Sequence, residues 1–157
     1  MSLFLTNLLL SLAWVAMTGQ YQAGNFFAGL LLGFVVLRIT LRGPASKAYS
    51  ARLRAIAGFG IFFTRELILA NLRVAFDVLT PRHHMRPGIV AIPLDLKTDL
   101  EITVLTTLIT LTPGTLSLHV TADRRILYIH AMYIDDVDQL IRRIKEGFER
   151  RVREVLQ

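Results

Sequence analysis

The chain has 157 residues, 53% of them hydrophobic, with no cysteine, a net charge of +6 and a mean hydropathy of +0.48. That length holds one ordinary domain or a membrane part plus a very small one, and the missing thiol excludes disulfides, thiolate metal sites and cysteine nucleophiles. Residues 1–37 carry no charged side chain, residues 38–86 carry nine Lys/Arg against Glu66 and Asp77, and residues 87–157 carry nine against ten, so the basic excess directly follows an uncharged block, as on the cytoplasmic side of a membrane protein and not as in a nucleic-acid binder.

Met1 to Thr18 is apolar apart from Ser, Thr and Asn. Gly19 to Gln22 is a polar break, and Ala23 to Leu41 is apolar again. A helix needs about 20 apolar residues to cross the hydrocarbon, so residues 1–41 suit a tight transmembrane hairpin of two short spans. Trp14 and Tyr21 fall where an interfacial aromatic belt lies, and Arg38 can snorkel from the last turn of the second span. No Lys or Arg precedes the apolar run, so a cleaved signal peptide is not expected. Gly29 and Gly33, four apart on the second span, are a candidate close-packing face toward other helices, although glycine is common in membrane helices. Arg38, Arg42, Lys47, Arg52 and Arg54 follow the second span, while the loop between the spans has no Lys or Arg. The positive-inside rule then puts the N-terminus and everything after Arg42 in the cytoplasm.

Residues 42–79 read as a basic loop followed by an amphipathic helix or a third membrane helix. A crossing by Ile56 to Leu79 buries Arg65 and Glu66 at mid-membrane and exports Arg82, Arg86 and the tail, both unfavourable. An amphipathic interfacial helix fits better, and three crossings stay open as the alternative. Glu66 is a candidate intramembrane carboxylate; the competing reading, a polar-face residue paired with a nearby arginine or a headgroup, is favoured.

Residues 80–88 contain two prolines and a glycine and form a linker. His83 and His84 are adjacent, point apart in any regular backbone and do not converge as metal ligands. Residues 89–157 form a small cytoplasmic α+β domain in the order β-α-β-β-α. Ile89 to Leu94 is a strand with Pro93 near an edge or end. Thr98-Asp99-Leu100-Glu101 is a capping box, opening a helix whose stripe is Leu100, Val104, Leu108 and Leu111. Pro113-Gly114 stops it. Thr115 to Val120 is a strand with Leu116, Leu118 and Val120 on one face, residues 121–125 turn, and Ile126 to Tyr133 completes a hairpin. His119 and His130 lie on its two strands but not opposite each other. Asp135 or Asp136 caps a last helix with the stripe Val137, Leu140, Ile141, Ile144, Phe148 and Val152. The stretch Thr107 to Val120 has neither the Gly-Lys-Ser/Thr of a phosphate loop nor a nucleophile elbow, and its threonines can bond back to the preceding helical turn. The tail, about 70 residues, builds a core too small to be stable alone, so docking on the middle helix, the membrane or a partner is expected.

The residues "GIVAIPLDLKTDLEITVLTTLITLTPGTLSLHV" and "LYIHAMYIDD" resemble the E subunit of Mrp-type (Mnh/Pha) multisubunit cation/proton antiporters, most specifically in Asp99-Leu100-Glu101, Thr110 to Thr115 and Tyr128-Ile129-His130. The likeness extends over essentially the whole chain. It implies an accessory subunit of a bacterial inner-membrane complex that exchanges Na+ for H+, with other antiporter subunits and membrane lipid as partners, no nucleic acid, no cofactor and no catalytic or metal-binding residues. Thr112, Pro113, Gly114 and Thr115 join Gly29 and Gly33 as candidate subunit-packing residues. The alternative is a stand-alone membrane-tethered adaptor or sensor whose small domain binds a ligand.

Overall fold

The computed structural model describes residues 3–41, 44–80 and 85–156; His83 and His84 lie outside them. In chain order the elements are α1 (Leu3–Thr18), α2 (Ala23–Thr40), α3 (Pro44–Leu79), β1 (Gly88–Pro93), α4 (Asp99–Leu111), β2 (Thr115–Val120), β3 (Ile126–Ala131) and α5 (Val137–Arg142). A π-helical segment, Arg143–Glu149, then leads into α6 (Arg150–Leu156). The chain forms two compact units, Met1–Arg54 and Ala55–Gln157. The expected basic loop after residue 42 is helical from Pro44 on: proline is a favoured first helical residue, and the Ala, Lys, Arg and Leu that follow are strong helix formers.

In the first unit α1 and α2 pack as an antiparallel hairpin, turning at Gly19 with φ +66°. The residues facing inward are small or polar: Asn7, Ser11 and Val15 on α1, and Gly29, Gly33 and Leu37 on α2. Phe4, Met17, Phe27 and Leu31 point outward and are 60–86% exposed. Apolar side chains outside and small polar ones within is the arrangement of helices solvated by lipid. A Cβ on Gly29 would meet Ser11 and Trp14 at 3.0–3.1 Å, and one on Gly33 would run into the Asn7 amide. The glycine pair is therefore spent on α1 inside the hairpin, which corrects its assignment to subunit packing: the face is already covered. Hydrogen bonds lock the ends. Ser11 Oγ donates to the Phe26 carbonyl at 2.8 Å, Trp14 Nε1 to Asn25 at 2.9 Å, and Asn25 to Thr18 and to the Gln20 carbonyl. Tyr49, at the start of α3, accepts from Asn7 at 3.0 Å and packs its ring on Phe34.

The second unit is built on an antiparallel sheet of order β1-β3-β2. Val90, Ile92, Leu127 and Ile129 point to one face, where they meet Ile102, Leu105 and Ile109 of α4 and Ile144, Phe148 and Val152 of the terminal helix. Two sequence expectations shift here. The buried stripe of α4 is Ile102, Leu105 and Ile109, flanked by Val104 and Leu108, while Leu100 and Leu111 are exposed. In β2 the pairing slips between Ser117 and His119; this bulge returns Val120 to the core and leaves Leu116 and Leu118 on the open face. Val137 is also exposed, so the last helix buries its stripe only from Leu140 on. Asp136 caps that helix by accepting from the Asp138 and Gln139 amides.

The loop between β1 and α4 is held by two buried carboxylates. Glu149 Oε1 accepts from the amides of Asp95 at 2.6 Å and Leu96 at 3.1 Å. Glu101 Oε2 accepts from those of Lys97 at 3.1 Å and Thr98 at 3.0 Å, completing the capping box. Lys145 neutralises Glu149 at 2.7 Å and also reaches Asp95 and the Pro93 carbonyl. Burial draws the Lys145 ammonium down, but its hydrogen bonds to Asp95 and Glu149 outweigh this and hold its pKa above the ordinary lysine value; the same contact holds Asp95 below the ordinary carboxylate value.

Gly33→Val is expected to lower the melting temperature of the full chain in detergent, through about 1–3 kcal/mol of overpacking, whereas Gly24→Val, with nothing within 4 Å of its new Cβ, leaves it unchanged. Glu149→Ala orphans two buried amides and is expected to cost about 3 kcal/mol in the same assay. The pKa of Lys145 is raised on folding, so its contribution is complete below the ordinary lysine value of 10.5 and is lost as pH climbs beyond it. The melting temperature of the wild type should then fall more steeply above that pH than that of Lys145→Met.

Candidate functional site

The part of α3 in the second unit presents one face to the sheet domain. At 100° per residue, Phe59, Phe62, Phe63, Glu66, Ala70, Arg73 and Asp77 share that face. The three phenylalanines pack on the core. The ring of Phe62 meets Phe148 edge-on at 5.2 Å, lies where Gly147 leaves room for it, and carries the Arg151 guanidinium 4.0 Å above its centre. A side chain at 147 would displace Phe62: its Cβ would sit 3.0 Å from the ring.

Beyond the phenylalanines, α3 and the domain diverge around a cleft of about 350 Å³. Glu66, Leu69 and Arg73 form one wall; Thr112, Pro113, Gly114 and Thr115 form the opposite corner; Tyr133, Leu140 and Arg143 close it. The corner is rigid because its hydroxyls are spent locally. Thr112 Oγ1 donates to the Leu108 carbonyl at 2.9 Å, and Thr115 Oγ1 to the carbonyls of Ile109 and Thr112 at 2.6 and 2.9 Å. Gly114 adopts φ +87°, a backbone region that L side chains disfavour, and the Tyr133 ring lies 3.2 Å from where its Cβ would be.

The charges of the cleft are matched. Glu66 is 5% exposed. It accepts from Arg143 through both Nε and a terminal nitrogen, and Arg65 stands 3.7 Å away. The Arg73 guanidinium lies 5.3 Å from the centre of the Tyr133 ring. Burial and the nearby Asp77 carboxylate raise the Tyr133 phenol above its ordinary value. A closely paired cleft of this kind is suited to fastening α3 to the domain.

Of the residues singled out in sequence, Glu66 and the Thr112–Thr115 corner come together around this cleft, while Gly29 and Gly33 belong to the hairpin unit. His119 stands opposite Tyr128 and His130 opposite Leu116, so the two histidines are offset. Among the described residues no three His, Asp or Glu side chains cluster as a metal site. Sequence reasoning missed Arg143, Arg73 and Tyr133 as partners of α3. The available signal was a face of α3 carrying Glu66, Arg73 and Asp77 between phenylalanines, too polar for lipid and too apolar for water.

Residues 7–155 match the family described as Na+/H+ ion antiporter subunit. The chain is 40% identical over 151 residues, 96% of each chain, to the E subunit of the Na(+)/H(+) antiporter of Alkalihalophilus pseudofirmus, and 41% identical over the same length to that of Bacillus subtilis. Among solved structures it resembles a chain of the membrane-bound sulfane sulfur reductase, an archaeal respiratory membrane complex, with a TM-score of 0.59 and 26% identity over 99% of this chain and 100% of that one. A chain of the Mrp complex of a Dietzia species is 31% identical and matches 65% of this chain and 96% of its own, with a TM-score of 0.49.

Arg143→Ala strands the buried Glu66 carboxylate and is expected to destabilise the full chain by about 3 kcal/mol. Glu66→Gln leaves behind an arginine that is already half in water and is expected to cost under about 1 kcal/mol. Thermal unfolding of both variants in detergent checks the order.

Proposed function

The chain belongs to the Na+/H+ antiporter subunit family, and from that premise we propose that it is a non-catalytic subunit of a multisubunit antiporter complex in the bacterial cell membrane, serving assembly and full activity. The observation that carries this reading is the division of the chain between two solvents: a hairpin with its apolar side chains outward and a domain whose buried charges are matched by structural partners. Among the described residues neither half offers an ion path of its own, and both offer surface.

The placement we propose is two crossings, by α1 and α2, with α3 lying along the cytoplasmic face of the bilayer. By length and hydropathy α3 is also a candidate span over Lys47–Leu79. The contacts on it argue otherwise. The domain grips α3 from Phe59 to Asp77, about 27 Å at 1.5 Å per residue, nearly the full thickness of a hydrocarbon core of about 30 Å. A crossing there would carry Arg143, Arg151 and Tyr133 into lipid with it. The opposite face of α3 suits a headgroup boundary: Ile61, Ile68, Leu72 and Leu79 are 54–84% exposed, and no Lys, Arg, Asp or Glu interrupts them at that angle. Arg38, Lys47, Arg52 and Arg54 put this side of the membrane in the cytoplasm.

The absence of cysteine makes the topology directly readable. In intact cells, Tyr21→Cys is expected to react with a membrane-impermeant maleimide, and Glu146→Cys only after the cells are opened. Labelling of Glu146→Cys from outside would mean three crossings. For the subunit role, deletion of the gene is expected to abolish Na+/H+ exchange in everted vesicles; exchange at the wild-type rate would overturn it.

A further inference from the structure

The second unit keeps one face of its sheet open. The helices cover Val90, Ile92, Leu127 and Ile129, and α3 packs on the helical side, against Gly147 and Phe148. On the other face the pairing puts Ile89, His130 and Leu116 in one row, with Ala91, Tyr128 and His119 in the next. Ile89 is 65% exposed, and Leu116 and Leu118 are each 46% exposed. The bulge at Leu118 sets that residue at the rim of a groove between β2 and the outer side of α4, lined by Thr106, Thr107, Thr110 and Leu111. The edge of β2 is partly sealed there: the Ser117 amide donates to Thr110 Oγ1 at 3.2 Å, and Ser117 Oγ to the Thr106 carbonyl at 3.0 Å.

No Lys, Arg, Asp or Glu occurs from Ile102 to Ala122, from Ile126 to Ile134 or from Pro87 to Leu94. The open face and the groove are therefore one uncharged surface on a unit that is otherwise rich in charge. Contiguous apolar surface of this kind marks an interaction site. Its neutrality argues against anionic headgroups, which recruit Lys and Arg. Its size argues against a free-standing complex. Three strands of six residues cover roughly 14 by 20 Å, on the order of 300 Å², against the about 800 Å² per partner that such a complex buries. A partner held in the same membrane does not need that area, because tethering supplies the effective concentration.

We propose that the open face of the sheet, centred on Ile89, Leu116 and Leu118, docks against an uncharged, cytoplasm-facing surface of another subunit of the antiporter complex. This rests on the subunit reading above and adds where the contact is made. In α3 and in this sheet the unit then has two separate apolar faces, one for lipid and one for protein.

The test places a photoreactive benzoylphenylalanine at Leu116 or Leu118 in the full chain in its native membrane, with Glu146, exposed on the terminal helix, as the control position. Adducts to a different subunit from Leu116 and Leu118, with none from Glu146, are expected. Adducts only to lipid or to a second copy of this chain, equal adducts from Glu146, or none at all would overturn the assignment. In parallel, Leu116→Glu with Leu118→Glu is expected to reduce co-extracted subunits at least fivefold in gentle detergent, with the melting temperature of the chain unchanged because both side chains are half exposed. A wild-type chain extracted without any other subunit would remove the subunit reading and this surface together. Wild-type co-extraction with unreactive probes at both leucines would remove the surface alone.

Discussion

Four successive backbone amides, from Asp95 to Thr98, point at two buried carboxylates, and the second unit is organised around that loop. Glu149 takes the first two and Glu101 the last two. Burying a carboxylate is costly unless hydrogen bonds and an opposite charge satisfy it, so neither side chain can be where it is without the loop and, for Glu149, without Lys145. The arrangement joins the end of β1, the start of α4 and the terminal helix, three elements that no short connection would otherwise hold together. The same π-helical segment that supplies Lys145 and Glu149 to the loop also supplies Arg143, Gly147 and Phe148 to α3. One turn of helix thus fastens the sheet on one side and the long helix on the other.

The two units obey opposite rules of solvation. In the hairpin, Asn7 and Ser11 are buried while phenylalanines and leucines face outward. In the sheet domain the aliphatic side chains form the core and the arginines lie outside. Helix α3 takes part in both: its first turns set Tyr49 on Asn7, and its later turns set Glu66 on Arg143. From Ala55 on, the charged face of α3 is the inner one and the apolar face the outer one, which is why its composition alone reads ambiguously as a crossing or an interfacial helix.

Much of this was legible in the residues. The capping box at Thr98, the Pro-Gly stop, the hairpin of β2 and β3 and the cap at Asp136 are local chemistry, and local chemistry is visible in sequence. The losses came where tertiary contact decides. Leucines at 100 and 111 and isoleucines at 102 and 109 are equally apolar, so the stripe of α4 is ambiguous until the sheet chooses a face. The bulge at Leu118 preserves alternation in the letters while breaking it in space. Glu149 looks like a surface residue until the loop it serves is in place. Gly29 and Gly33 were recognised as a close-packing pair, but spacing cannot name the helix on the other side, and α1 took the position expected for another subunit. Of the cleft, Glu66 and the Thr112–Thr115 corner were found, while their partners Arg143 and Tyr133 lie far along the chain and share no motif with them.

The π-helical segment makes the length of the terminal helix a constraint in its own right. A π turn holds more residues than the α turn it replaces, so losing one residue between Arg143 and Glu149 would let the backbone relax to an ordinary helix while turning everything after it by about 100°. Val152, 1% exposed, would swing out of the core, and a neighbouring arginine would swing toward it. Substitutions along this segment can be absorbed one contact at a time, but a single-residue deletion cannot. Descendants of this chain should therefore vary in what they place on the exposed positions of the segment and hold its residue count fixed.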